Sequence, residues 1–301
     1  MQAVVCRMSP EGVTVAAPSR LLAAGSTYAA IDFLGLCHQR LVNEADAFGF
    51  DVRAAYTIVV QTWDRASDHL RSLAYGRANS QRDLVKLIPD VYFINSGGYN
   101  NLRQFAAGNS MPAWDTRSST VVWRGSVTGS GPYTSPLDIP RVQLALACRD
   151  IDGTDVAIFQ VHETMWNIYP PEEIERFAKA YELWGERWSL AEFAKYKFVL
   201  DIDGHANAWG LLEKLILGCC VLKVSSCYEQ WFYEQLRPWR HYVPISGDLS
   251  DLESTIDWCR ENQSECEWIA RNGTTLAQSV TLESAADRSC LDVLSTASLR
   301  R

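Results

Sequence analysis

The chain has no Cys-x-x-Cys pair, although it holds nine cysteines, at positions 6, 37, 148, 219, 220, 227, 259, 266 and 290. That odd, scattered set signals neither a zinc ribbon nor a disulfide framework, and it fits reduced, mostly buried thiols. Cationic excess is missing too. The formal charge is -8 and the pI about 5.2, which argues against a general nucleic-acid binder with a basic face. No stretch approaches the ~18 uninterrupted apolar residues of a membrane span. The first residues carry no basic patch before an apolar run, and the last four, Ser-Leu-Arg-Arg, are not a retention signal. The reading is an unexported, cytoplasmic protein, in which sequons at Asn262 and Asn272 carry no weight. Internal repeats and low-complexity tracts are absent as well. So are a Gly-Lys-Ser/Thr phosphate loop, a Gly-x-Ser-x-Gly elbow and the dinucleotide fingerprint, while His162-Glu163 lacks the second histidine of a zinc helix.

What is present is ordinary globular composition, 47% apolar and 21% charged, over 301 residues. That length suits two domains of about 100–200 residues each. Eleven tryptophans and twelve tyrosines offer flat faces for sugars or nucleobases, or simply pack the core. Residues 1–25 read as a weak hairpin. A helix is expected over Tyr28–Phe48 with Gly49 as its stop, then a strand Tyr56–Gln61, helices at 65–76 and 80–88, a strand Val91–Asn95 and a helix Asn101–Ala107. Gly108–Ser119 reads as a linker. Strands Thr120–Arg124 and Val156–Gln160 alternate with helices Pro140–Cys148 and Glu172–Trp188. Later, a helix is expected at Ser225–Leu236, a short edge strand at Trp239–Pro244 and two helices within Asp248–Ala277. Alternating strands and helices give an α/β fold of two halves, 1–115 and 116–285, with a tail at 286–301. The cleft between such halves is the default site.

The stretch around which the second half is organised is 196–223. A buried-type strand ends in Asp201-Ile202-Asp203-Gly204 and gives way to an amphipathic helix and a second apolar strand, Cys219–Lys223. A loop at the carboxyl end of such a strand is where phosphate-bearing ligands sit in open α/β sheets. The alternate spacing puts both carboxylates on one face, where a metal, ribose hydroxyls, hydrogen bonds to the neighbouring loop or the cap of the following helix are open readings. A second loop, Arg124-Gly125-Ser126-Val127-Thr128-Gly129, combines one guanidinium with hydroxyls and approachable backbone. It suits a phosphate, or serves as a structural turn.

The run Tyr196–Gly204, followed by Asn207, Trp209, Leu212, Lys214 and Val221-Leu222-Lys223, resembles glycosyltransferase family 90. Three more blocks agree: Trp123-Arg124-Gly125-Ser126-x-Thr128-Gly129; Trp231-Phe232-Tyr233 with Pro238-Trp239-x-His241-Tyr242-Val243-Pro244; and Asp248–Leu252 with Trp258–Asn262 and Ala270–Gly273. The N-terminal third matches thinly, through Pro89-Asp90 and Ser96-x-Gly98-Tyr99, in a form similar to the bacterial members.

The resemblance implies a GT-B architecture, two Rossmann-like domains facing each other across a cleft. It implies inverting, metal-independent transfer from a nucleotide sugar, UDP-linked, to a glycan such as lipopolysaccharide core, without a cofactor. A lipid-linked acceptor would bring the protein to a membrane surface; nucleic acid is not an expected partner. Arg124, Gly125, Ser126, Thr128 and Gly129 would hold the diphosphate, and Asp203, Gly204, Asn207 and Trp209 would line the donor pocket. Eukaryotic members of the family carry an arginine in the segment after Asp-Gly; here none lies between Gly204 and Lys223, and Lys214 or Arg141 is expected to substitute. The family's base position is occupied by Gly98. Asp64, at the end of the Tyr56–Gln61 strand, is the first alternative base and Asp115 the second. An inactive donor-binding protein and a protein O-glycosyltransferase are the competing readings.

Overall fold

The computed structural model describes residues 3–16, 25–63, 66, 70–108 and 111–300. It divides into two compact units, one of residues 1–100, 227–234 and 279–301, the other of 101–226 and 235–278. Strands are numbered in chain order. The boundary expected at 115/116 therefore falls at 100/101. The expected tail, 286–301, belongs to the first unit: a helix Leu282–Thr296 buries Ala285, Ala286, Ser289, Cys290 and Val293. Its partner is the helix Gly25–Asn43, whose Cys37 thiol donates to the Ala286 carbonyl at 3.9 Å. The buried stripe consists of small residues, so its periodicity is faint in hydrophobicity.

In the first unit the sheet runs β2 (Gly12–Ala16), β1 (Ala3–Ser9), β3 (Ala55–Gln61), β4 (Ser72–Ala74), β6 (Val85–Leu87). β1 is antiparallel to both neighbours, while β3, β4 and β6 run parallel. β5 (Gly76–Ala78) pairs instead with β11 (Tyr228–Gln230), and β13 (Ser298–Arg300) pairs antiparallel with the start of β3. Among the described residues, strands thus stand in the spans expected to be helical, 65–76 and 80–88, because three residues are too few to display a period of two; residues 65 and 67–69 of the first span lie outside the described residues. The same holds for Ser225–Leu236, which is β11 and a single 3-10 turn, Tyr233–Gln235. Conversely, the strand expected at Val91–Asn95 is a helix. Its β-prone residues are overridden by Asp90, whose carboxylate accepts from the Tyr92 and Phe93 N–H groups at 2.9 and 3.0 Å. Gly97 and Gly98, at φ 63° and 74°, then end it in the left-handed region.

The second unit is a five-stranded parallel sheet in the order β12 (Val243–Ile245), β10 (Cys220–Val224), β9 (Tyr196–Asp201), β7 (Ser118–Val127), β8 (Thr154–Val161). The chain goes outward from β7 to β8 in one direction, then returns to β9 and continues through β10 to β12 in the other. The order therefore reverses between β7 and β9, and that switch point is where open α/β sheets bind ligands. One apolar core holds the unit together. It joins Val121, Trp123 and Val127 of β7 to Val142, Leu144 and Cys148 of the helix Pro140–Arg149, with Phe198 and Leu200 of β9 beside them. At about 25 cal/mol per Å² of apolar surface removed from water, such burial dominates the stability of the site's scaffold.

Candidate functional site

The ends of β7 and β9 come together at the switch point through close backbone approach. A register shift between Gly125 and Ser126 in the pairing of β7 with β8 re-aims the strand end. The Trp123 indole lies over Gly125, where a Cβ would overlap it. A Cβ on Gly204 would likewise strike Thr128 Oγ1 and stand 3.0 Å from Arg141 Cζ. Only glycine fits either position.

Arg141 ties the two strand ends. It donates to the carbonyls of Ser126 at 2.9 Å, Ile202 at 3.0 Å and Asp203 at 3.3 Å. Burial lowers its pKa, against the pull of Asp203 and Asp201. His205 adds a second tie, with Nδ1 3.1 Å from the Gly129 carbonyl, and the Ser130 hydroxyl donates to the His205 carbonyl at 3.0 Å.

Both carboxylates of Asp201-Ile202-Asp203 are engaged by the protein itself. Asp201, fully buried, accepts from Lys214 at 2.6 Å and from Lys223 at 3.4 Å. Burial alone would raise its pKa; the two ammonium groups outweigh it and hold the carboxyl below its ordinary value. Asp203 accepts from the Ala208 N–H at 2.7 Å and from the Ser226 hydroxyl, and lies 3.7 Å from Lys223. Of the readings left open by the sequence, these contacts match hydrogen bonding to neighbouring loop groups, with the Asp203 carboxylate closing the turn to Ala208 and taking the Ser226 hydroxyl. Among the described residues no group of three or more His, Cys, Asp or Glu side chains is placed to hold a metal ion.

A cavity of about 200 Å³ opens at this edge, lined among others by Trp123, Arg124, Arg141, Phe193, Trp209 and Lys214. Gly125 also lines it. Beside it, Asn207 is 5% exposed, and neither its amide oxygen nor its amide nitrogen has a partner. Leaving both unmade costs about 1–3 kcal/mol each, which a ligand with complementary groups would recover. Arg124 stacks its guanidinium 3.9 Å from the Trp188 ring centroid and pairs with Asp155 at 2.6 Å.

The structure thus brings Arg124, Gly125, Arg141, Trp209 and Lys214 to one cavity, with Ser126, Thr128, Gly129 and Gly204 in the adjoining crossing and Asp203 and Asn207 buried in its loop. It does not bring Asp115 there. Asp115 is exposed on the 3-10 turn Trp114–Thr116, before the amino end of β7, and is not among the cavity's lining residues; the rise from Ser118 to Trp123, roughly 17 Å at 3.3 Å per residue, lies between the start of the strand and the cavity. Asp64 lies outside the described residues. Gly98, in the first unit, has φ 74°, a conformation an aspartate adopts only with strain. Asp155, Trp188 and Ser226 were not singled out in the sequence, and Lys223 entered only as part of the resembling run, since each acts across strands or loops that no short motif joins.

A family model for "Glycosyl transferase family 90" matches residues 89–286. The chain belongs to glycosyltransferase family 90. Within the family, an uncharacterized protein of Frog virus 3, 027R, is 36% identical over 241 residues, 71% of this chain and 24% of that protein. Protein O-glucosyltransferase 3 of Rattus norvegicus is 30% identical over 171 residues, 57% of this chain and 30% of that one. The matched part of this chain is thus less than a third of the length of either relative. Among solved structures, Anabaena HepE in complex with UDP-glucose aligns with a TM-score of 0.46 at 14% identity, over 75% of this chain and 63% of that chain. The fold class is α/β, with a separate sheet in each of two units. No helix among the described residues is long and apolar enough to cross a membrane.

Proposed function

We propose that this member of family 90 is a glycosyltransferase whose second unit binds the diphosphate and sugar of a UDP-linked donor. The observation that carries the reading is the convergence of Arg124, Arg141 and Lys214 on one cavity at the switch point of a doubly wound sheet. In direct displacement, a base removes the acceptor hydroxyl's proton and the oxygen attacks the anomeric carbon. The bond to the diphosphate breaks, and the diphosphate leaves with the electron pair. Such a step inverts the anomeric centre, and the leaving charge needs cations or N–H groups fixed in place beforehand. Three cationic side chains and the crossing of Ser126–Gly129 with Gly204 supply both without a metal in this reading. Asn207 completes the pocket through its two unpartnered amide atoms.

The acceptor is a hydroxyl of a glycan, as in lipopolysaccharide core, or of a protein. The second version is favoured by the name of the rat relative, a protein O-glucosyltransferase. With Gly98 lacking a side chain and Asp115 before the amino end of β7, away from the cavity, Asp64 is the base in this reading. Calorimetric titration with UDP and a panel of UDP-sugars, alongside a transfer assay, tests the proposal. UDP is expected to bind, Asn207→Ala to weaken it, and Asp64→Asn to abolish transfer while leaving UDP affinity unchanged. Absence of UDP binding sinks the donor site; unaltered transfer by Asp64→Asn removes Asp64.

A further inference from the structure

Arg124 is more elaborately held than a phosphate-binding cation in a loop needs to be. Nη1 donates to the Trp123 carbonyl at 2.9 Å and to the Asp155 carbonyl at 2.8 Å, and Nη2 donates to Asp155 Oδ1 at 2.6 Å. Asp155 therefore grips the outer edge of the guanidinium with a backbone and a side-chain oxygen at once. The flat face rests on Trp188 at 3.9 Å, and Trp188 is in turn stacked on Tyr196, with centroids 5.2 Å apart and planes 13° from parallel. Position and plane are both fixed.

What remains is the side edge. Nε is buried and has no acceptor among the described residues, and the bond to Asp155 uses one of the two hydrogens on Nη2. A guanidinium presents Nε–H and one Nη2–H as a parallel fork that matches two oxygens of a phosphate. Gly185 packs close beside it: a Cβ there would stand 3.6 Å from Nε, in van der Waals contact, and collide with the Ala157 methyl. Arg124 itself lines the cavity described above. Asp155 is half-exposed, its side chain 45% accessible against 8% for Arg124, so burial does not account for its position.

We propose that Asp155 and Trp188 are positioning residues that hold the Nε/Nη2 edge of Arg124 as a preformed two-pronged seat for the donor's diphosphate. The inference rests on the donor-site reading and adds to it that the ion pair does not remove Arg124 from binding but orients it. Asp155 occupies the edge that the ligand does not use. Without it, Arg124 keeps its charge but gains freedom about its long side chain, and the fork must be ordered at the moment of binding.

The test is calorimetric titration of the whole chain with UDP and, separately, with uridine, which lacks the phosphates. Asp155→Ala and Trp188→Leu are expected to weaken UDP by roughly 10- to 100-fold, the scale of a hydrogen bond to a charged group, while leaving uridine affinity unaltered. Asp155→Asn keeps an oxygen on the Nη2 hydrogen and is expected to recover most of the loss. Equal weakening of UDP and uridine marks a merely structural role and overturns the proposal, as does wild-type UDP affinity in Asp155→Ala. If the unaltered chain binds no UDP, the donor-site reading fails and this inference with it; binding by the unaltered chain with no effect of Asp155→Ala sinks the inference alone.

Discussion

Single residues decide how tightly the two strand ends meet. Gly204→Ala places a methyl where Thr128 Oγ1 and Arg141 stand, so one of them must yield. Overpacking of this kind costs about 1–3 kcal/mol. A lower thermal midpoint and weakened UDP binding are expected together, and a variant indistinguishable from the parent in both would show the crossing to be compliant. Asp90 carries a different consequence. Burial pushes its carboxyl up to about 6 from 3.8, against the N–H bonds from Phe93 and Tyr92. Its folded value is above its unfolded one, so its contribution to stability is complete below about pH 4 and lost as pH rises through about 6. The shift corresponds to roughly 2–3 kcal/mol. Urea unfolding at several pH values should show the parent losing stability across that window relative to Asp90→Asn; parallel curves would contradict it. Asp201 has the opposite sign, since its lowered value contributes stability that is lost only as pH falls below the ordinary carboxylate range. Glycines and cations were legible from the sequence because their chemistry is local. Their partners were not: Asp155 reaches Arg124 from the next strand, and Ser226 reaches Asp203 from 23 residues away.

At the scale of elements, the parallel sheet of the second unit was readable almost strand by strand. β7, β9 and β10 are continuous apolar or β-branched runs, as strands buried on both faces are. The first unit was less readable, because β4, β5, β6 and β11 are three residues each and their identity is set by partners rather than by pattern. The helix Leu282–Thr296 hid for another reason, its buried face being built of Ala, Ser and Cys. Val293 is fully buried on that face. Val293→Asp would bury a charge, and an unpaired buried charge costs several kcal/mol. Loss of hydrogen-exchange protection is expected in the helix Gly25–Asn43 and in β3 while β7, β9 and β10 keep theirs. Protection lost evenly throughout would show the two units to unfold as one.

For the whole molecule, the path of the chain matters more than its charge or size. It passes between the units four times, at 100/101, 226/227, 234/235 and 278/279. A fragment of residues 101–278 would carry Tyr228–Gln230 without β5, stranding Glu229 from Arg77, its buried partner at 3.1 Å. Such a fragment is expected to aggregate or to unfold well below the full chain, and restoration by co-expressed 1–100 would support the pairing; a fragment as stable as the full chain would refute it. The eight residues 227–234 therefore act as a lock on inheritance. No single recombination breakpoint can trade one unit for a homologue's and leave the other whole, so the five-stranded sheet and the first unit must diversify together. A new specificity then has to arise by substitution within this one chain rather than by exchange of modules.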